Sequence, residues 1–143
     1  MKVPDVNVLF QAVNEDSQDH QKARSWLEDA LSGTSTTGLA WPALAGFLRL
    51  VTNPRVLPKP LAPPEAVSIV ESWTLAPGTR LLNPGPQHLQ ILGRLMVEHD
   101  IAGRDISDAR LAAIAIEHQA TFGTFDSDFH RFAELDLEYL GAR

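Results

Sequence analysis

Short apolar runs alternate along this chain with segments whose apolar residues recur at helical spacing. That alternation predicts an α/β fold, with a mainly parallel central sheet flanked by helices. Lys2 to Pro4 reads as a first strand, feeding a short helix from Val6 to Val13 whose apolar residues are too dense for an exposed element. A second helix is expected from Ser17 to Leu31, with Ala23, Trp26, Leu27 and Ala30 on one buried face and Gly33 as its stop. Thr36 to Leu39 is the second strand, and Pro42 then takes a helix N1 position and opens an apolar helix through Leu50. Between Asn53 and Pro64 lie Pro54, Pro58, Pro60, Pro63 and Pro64, which predict a long, stiff connection and not a domain boundary. Beyond it the pattern predicts a helix from Pro64 to Trp73, a strand from Arg80 to Leu82, and helices from Gln87 to His99 and from Ile106 to His118. A strand at Thr121 to Thr124, a short helix around Phe129 to Phe132 and a last strand at Leu137 to Leu140 complete the chain.

Composition narrows this picture without changing it. At 143 residues, 44% hydrophobic and 21% charged, the chain is expected to form a single domain over 1–143 around one core. No apolar run approaches the roughly 20 residues a membrane helix needs, and the first residues carry no long apolar segment or cleavage signal, so the expected setting is the cytoplasm, with no membrane partner. The chain has no cysteine, which excludes a disulfide framework, a thiolate nucleophile and a zinc–thiolate site. A formal net charge of −6 opposes indiscriminate polyanion binding, because nonspecific nucleic-acid affinity comes mainly from phosphate neutralisation. A nuclease is still compatible with that charge, provided its carboxylates hold metal ions and its arginines line one groove. Arg49, Arg55, Arg104 and Arg110 are candidates for such a groove, each with the alternative of a solvated surface residue.

Four aspartates are harder to explain as structure. Asp5 and Asp126 each follow a strand, Asp108 opens an alanine-rich helix, and Asp128 follows Asp126 by two residues. In a parallel sheet, strand C-termini and the helix starts after them converge on one crevice. Singly, Asp108 reads equally well as an N-terminal helix acid, beside Ser107 and Asp105, and Asp126 and Asp128 as turn or cap residues. Together they need a cation, since like charges about 4–5 Å apart repel by roughly 3–4 kcal/mol per pair at an effective dielectric of about 20. An all-oxygen set, with only His130 near in sequence, favours magnesium or manganese over zinc and fits phosphodiester hydrolysis. His20, in the first turn of its helix, reads as a packing or surface residue.

At these residues the chain resembles a known family. Asp5-Val6-Asn7-Val8-Leu9 looks like the opening D-x-N-x-L of PIN-domain ribonucleases, Asp108-Ala109-Arg110-Leu111-Ala112-Ala113-Ile114-Ala115 like their D-A-x-x-A-A-x-A helix, and Thr124-Phe125-Asp126-Ser127-Asp128-Phe129 like their T-x-D-x-D-F element. Order, spacing and strand–helix context agree across essentially the whole chain. The stretch Phe47-Leu48-Arg49-Leu50-Val51-Thr52-Asn53-Pro54 makes it most similar to VapC-type toxins of bacterial toxin–antitoxin pairs. The resemblance implies an endoribonuclease dependent on Mg2+ or Mn2+, a homodimer, and a small antitoxin partner whose C-terminal segment enters the groove. It also implies that Asp5, Asp108 and Asp126 are metal-binding carboxylates, with Asp128 a weaker ligand or supporting group in catalysis. Asn7 would orient Asp5 or a water, Arg49 would meet substrate, and Thr124 would hydrogen-bond at the site floor.

One departure from the family pattern bears on chemistry. Many members carry a glutamate two to three residues before the Phe-Leu-Arg stretch, and here the run Leu44, Ala45 and Gly46 holds no acid. Fewer charges should weaken ion binding, with Asp105 expected to compensate in part. A binding module that holds RNA or antitoxin without cutting is therefore the alternative from another class. A phosphatase built on Asp126 and Asp128 is weaker, because no lysine follows Lys59, and the glycines form neither a phosphate loop nor a dinucleotide fingerprint. Trp26, Trp41, Trp73, Phe10 and Phe47 are expected mostly in the core, with any exposed one serving a partner surface.

Overall fold

The computed structural model describes residues 1–142 and holds one five-stranded sheet in the order β3-β2-β1-β4-β5. The strands are β1 (Lys2–Pro4), β2 (Thr37–Ala40), β3 (Thr79–Leu82), β4 (Thr121–Thr124) and β5 (Asp136–Tyr139), and every pairing is parallel. Six α-helices connect them: α1 (Val6–Val13), α2 (His20–Ala30), α3 (Trp41–Val51), α4 (Pro63–Thr74), α5 (His88–His99) and α6 (Ile106–Glu117). From β1 the chain builds the sheet first toward β2 and β3, then returns through α5 and α6 to lay β4 and β5 on the other side. The carboxyl ends of β1 and β4 are thus neighbours at the point where the strand order reverses, which is where parallel sheets open a crevice.

Local sequence explains most element boundaries. The Asp5 carboxylate caps α1, accepting from Val6 N at 2.7 Å. The second helix begins at His20 and not Ser17, because the Ser17 hydroxyl accepts from Asp19 N at 3.1 Å and holds those residues in a turn. His20 itself is buried, its Nδ1 2.9 Å from Gln11 O, so it ties α2 to α1 as a packing residue. Trp41 is the first residue of α3 and Pro42 the second, where a missing N–H costs the helix nothing. Asp100 ends α5 in a left-handed conformation at φ 51°. The last strand lies one residue earlier than the apolar pattern suggests, in the register Thr121↔Asp136, where the Thr121 hydroxyl donates to Asp136 Oδ2 at 2.7 Å. The short element before it is a 3-10 helix, Ser127–Arg131. Among the described residues, no helix is long and apolar enough to cross a membrane.

The core is continuous across the sheet. Phe122 on β4 packs on Phe129 with centroids 4.8 Å apart, and Phe47 of α3 meets Trp73 of α4 edge-on at 4.7 Å. Burying each such ring contributes about 1.5–3 kcal/mol. Trp26, Trp73 and Phe47 are buried as expected and Phe10 is half-buried, but Trp41 is exposed. Trp26 fixes the floor of the site indirectly: it lies against Gly123 so closely that a Cβ there would sit 2.5 Å from Trp26 Cζ2. Only glycine lets the indole reach β4 at this point. Gly123→Ala should destabilise the fold by about 1–3 kcal/mol through overpacking. In urea denaturation this reads as a lower midpoint with an unchanged slope.

Candidate active site

Pairing of β1 with β4 decides which side chains meet. Pro4 is in register with Gly123, and Asp5 N donates to Gly123 O at 2.9 Å, so the residues just past each strand lie side by side. Asp5 is only 5% exposed and Thr124 is fully buried. The Thr124 hydroxyl donates to Asp5 Oδ2 at 2.7 Å and accepts from Asp126 N at 2.9 Å. Asn7 closes the network: its Nδ2 donates to Asp5 Oδ2 at 3.1 Å and to Thr124 Oγ1 at 3.2 Å, and its Oδ1 accepts from Phe125 N at 3.1 Å. One turn of α1 and the end of β4 are thereby locked together through polar atoms that would otherwise be buried without partners.

Around this floor opens a cleft of ≈ 740 Å³. Asp5, Asp108 and Asp126 all line it, as do Arg49, Arg110 and Asn7. Asp128 does not; it is exposed, and its N–H donates to Asp126 Oδ1 at 2.9 Å, which fixes the Asp126 side chain. Asp105, Arg55 and Arg104 also stand outside the cleft lining, on the exposed surface. Asp105 acts on the site as a charge that helps to raise Asp108. Of the three positions where an acid was looked for, Leu44 is buried, and Ala45 and Gly46 line the cleft without a carboxylate. A Cβ at position 46 would be 3.0 Å from Val6 Cγ2, so α3 packs on α1 where a longer side chain would push them apart.

The electrostatics follow from burial and from like charge. Desolvation pushes the Asp5 carboxyl up to about 6; the Thr124 and Val6 hydrogen bonds oppose this, and the charges of Asp108 and Asp126 add to it. Asp108 is also raised, first by burial and then by Asp126, while Arg131 lowers it and Asp105 and Asp128 raise it further. Sequence reading missed Arg131. Its guanidinium lies 3.8 Å from Asp108 Oδ2 and over the Phe132 ring, and its Nε is buried without a partner. The available signal was its position three residues after Asp128 in a 3-10 helix, where residues i and i+3 share a face.

Whether these residues suit a metal ion can be judged from the donor set. It is all oxygen, and burial first, with like charge added to it, raises both Asp5 and Asp108, an arrangement a cation would relieve. Among the described residues, however, no three His, Cys, Asp or Glu side chains form a ready-made cage. Magnesium suits this arrangement, because it keeps several waters and needs only one or two carboxylates directly.

A pH dependence follows from Asp5. Its carboxyl titrates higher in the folded chain than in the unfolded one, so the stabilising effect is complete below about 3.8 and is lost as pH rises through about 6. For this buried group the loss is on the order of 3 kcal/mol. Denaturation of metal-free protein from pH 4 to pH 8 should show falling stability, with a shallower fall in Asp5→Asn; equal slopes in the two proteins would refute the assignment.

Comparison with known proteins identifies the family. Residues 2–135 match the PIN domain family. The chain is 42% identical over 132 residues to ribonuclease VapC37 of Mycobacterium tuberculosis (strain ATCC 25618 / H37Rv), covering 92% of both chains. It is 40% identical over 135 residues to ribonuclease VapC33 of the same organism, covering 94% of both. In fold it is similar to VapBC2 from Rickettsia felis bound to a promoter DNA fragment, with a TM-score of 0.70 at 19% identity over 96% of this chain and 97% of that one. It is similar in the same way to Mycobacterium tuberculosis VapC20, described as a Sarcin-Ricin loop cleaving toxin, at 0.70 and 15% identity over 95% and 98%. With its motifs, its site and relatives at this identity over nearly its full length, the chain belongs to the PIN-domain family, in the group of the VapC ribonucleases.

Proposed function

We propose that this protein is a metal-dependent endoribonuclease, the toxin of a toxin–antitoxin pair, hydrolysing RNA phosphodiester bonds in the cleft between β1, β4 and α6. One observation carries the reading: carboxylates from three separate elements, Asp5, Asp108 and Asp126, line one cleft in a chain whose relatives are ribonucleases. Asp5, Asp108 and Asp126 would hold Mg2+ or Mn2+, which when bound supplies polarisation of the phosphoryl oxygen and an activated water. Thr124 and Asn7 hold Asp5 in one orientation and prevent its rotation toward solvent. Arg131 offsets part of the charge of Asp108, and Arg49 and Arg110 meet the phosphates of the incoming strand. With an RNA substrate the place of work is the cytoplasm.

The partners follow from the same reading. Structural neighbours include VapBC complexes, and a cognate antitoxin is the natural inhibitor of a cleft this open. A homodimer is supported by α5, where Leu89 and Val97 are 79% and 84% exposed on one stripe and a Cβ at the intervening Gly93 would meet nothing. Leu89→Lys with Val97→Lys should lower the sedimentation coefficient to that of a monomer while leaving the fold intact. The second reading, a binding module, is favoured by one observation: α3 brings no carboxylate to the cleft.

Metal dependence separates the two. Purified protein should cleave a pool of structured RNAs with Mg2+ or Mn2+ and not with EDTA, and Asp5→Asn or Asp108→Asn should each lower the rate by about 10²-fold or more. Folded wild type that never cuts under either metal would sink the nuclease reading in favour of the binding module.

A further inference from the structure

Two of the three tryptophans do structural work: Trp26 packs on Gly123 and Trp73 on Phe47, and both are 8% exposed. Trp41 does not. It is 45% exposed and lines the same cleft as the three aspartates. As the first residue of α3 it stands on one face with Ala45 and Arg49, four and eight residues on, and all three line the cleft. A large apolar ring and a guanidinium are thus presented along one wall with only a methyl group between them. Among the described residues, neither Arg49 nor Arg110 has a carboxylate within ion-pair distance, although the chain is acidic overall. Unpaired cations beside an exposed aromatic ring match a single-stranded nucleic acid, whose phosphates take the cations and whose bases stack on the ring.

We infer that Trp41 is a stacking platform for an unpaired base of the RNA next to the bond that is cut, with Arg49 and Arg110 on its phosphates. This rests on the nuclease reading of the same cleft and adds a positioning residue to it. A base held inside a duplex has no free face to offer the ring, so the platform selects loops and bulges. A protein partner with an apolar anchor is the competing occupant of an exposed tryptophan. Carboxylates and unpaired arginines on the same walls favour the nucleic acid.

The test uses tryptophan fluorescence, because Trp26 and Trp73 are buried and quenching by a stacked base reports on Trp41. An oligoadenylate RNA octamer and an abasic octamer with the same number of phosphates are titrated into wild type for quenching, and end-labelled copies into wild type, Trp41→Phe and Trp41→Ala for affinity by anisotropy, with Ca2+ present as a looser-fitting oxygen-site ion. The octamer should quench wild type and the abasic strand should not. Trp41→Ala should bind the octamer roughly 10-fold or more weakly, Trp41→Phe should keep most of the affinity, and cleavage with Mg2+ should show raised KM with little change in kcat. Trp41→Ala that binds and cuts like wild type overturns the platform alone, as does equal quenching by the abasic strand. Trp41→Ala with normal RNA affinity but a lost dimer assigns the ring to a protein interface and also overturns it. Wild type that neither binds the octamer nor cuts any RNA removes the nuclease reading itself, and the platform with it.

Discussion

Everything in the cleft depends on the hydrogen-bonded pairing of β1 with β4, two strands that are more than a hundred residues apart in the chain. The pairing sets Asp5 beside Thr124, and the shared atoms of Asp5, Asn7, Thr124 and Asp126 then form one buried polar unit. A carboxylate this deep is expensive to keep ionised unless each oxygen has donors, and here Val6 N, the Thr124 hydroxyl and the Asn7 amide supply them. The donors do not fully compensate: the carboxyl remains well above its ordinary range. That residual destabilisation is what a cation would relieve, and it links the fold of the apoprotein to the chemistry of the site.

Charge is distributed in keeping with this. The chain carries a net −6, yet the cleft is lined both by carboxylates, just past β1 and β4 and on α6, and by arginines on α3 and α6. Arg131 approaches Asp108 from the 3-10 helix after β4, so one of the carboxylates already has a counter-charge from the fold itself. At one of the α3 positions that carry no acid, packing accounts for the small residue. Gly46 brings α3 against Val6 of α1, the helix whose first turn is capped by Asp5, and a side chain at that position would loosen the contact that holds the cap.

Much of the fold was legible because local rules and the tertiary result agree. Lys2–Pro4, Val6–Val13 and Thr121–Thr124 fall where the apolar pattern places them, since each is bounded by a capping aspartate, a proline or a glycine that acts within a few residues. The start of α2 at His20 was not legible, because it depends on whether the Ser17 hydroxyl caps a helix or closes a turn, and the two compete on nearly equal terms. The register of β5 depends on a side-chain bond from Thr121, fifteen residues earlier, which no window on the apolar pattern contains.

For the site, sequence by itself determined which residue types stand at strand ends and helix starts, and so nominated Asp5, Asp108, Asp126 and Asp128, with Asn7 and Thr124 added by resemblance to the family motifs, because motif spacing and strand–helix alternation are local properties. Tertiary structure alone decided which of them share the cleft. It kept Asp5, Asp108 and Asp126 on its walls, left Asp128 and Asp105 in solvent, brought Arg131 to Asp108 and turned Trp41 outward while Trp26 and Trp73 went into the core. The physical reason is that burial, ion pairing and mutual repulsion depend on distances across the sheet, and those distances are set only when β1 and β4 pair and α3 closes on α1.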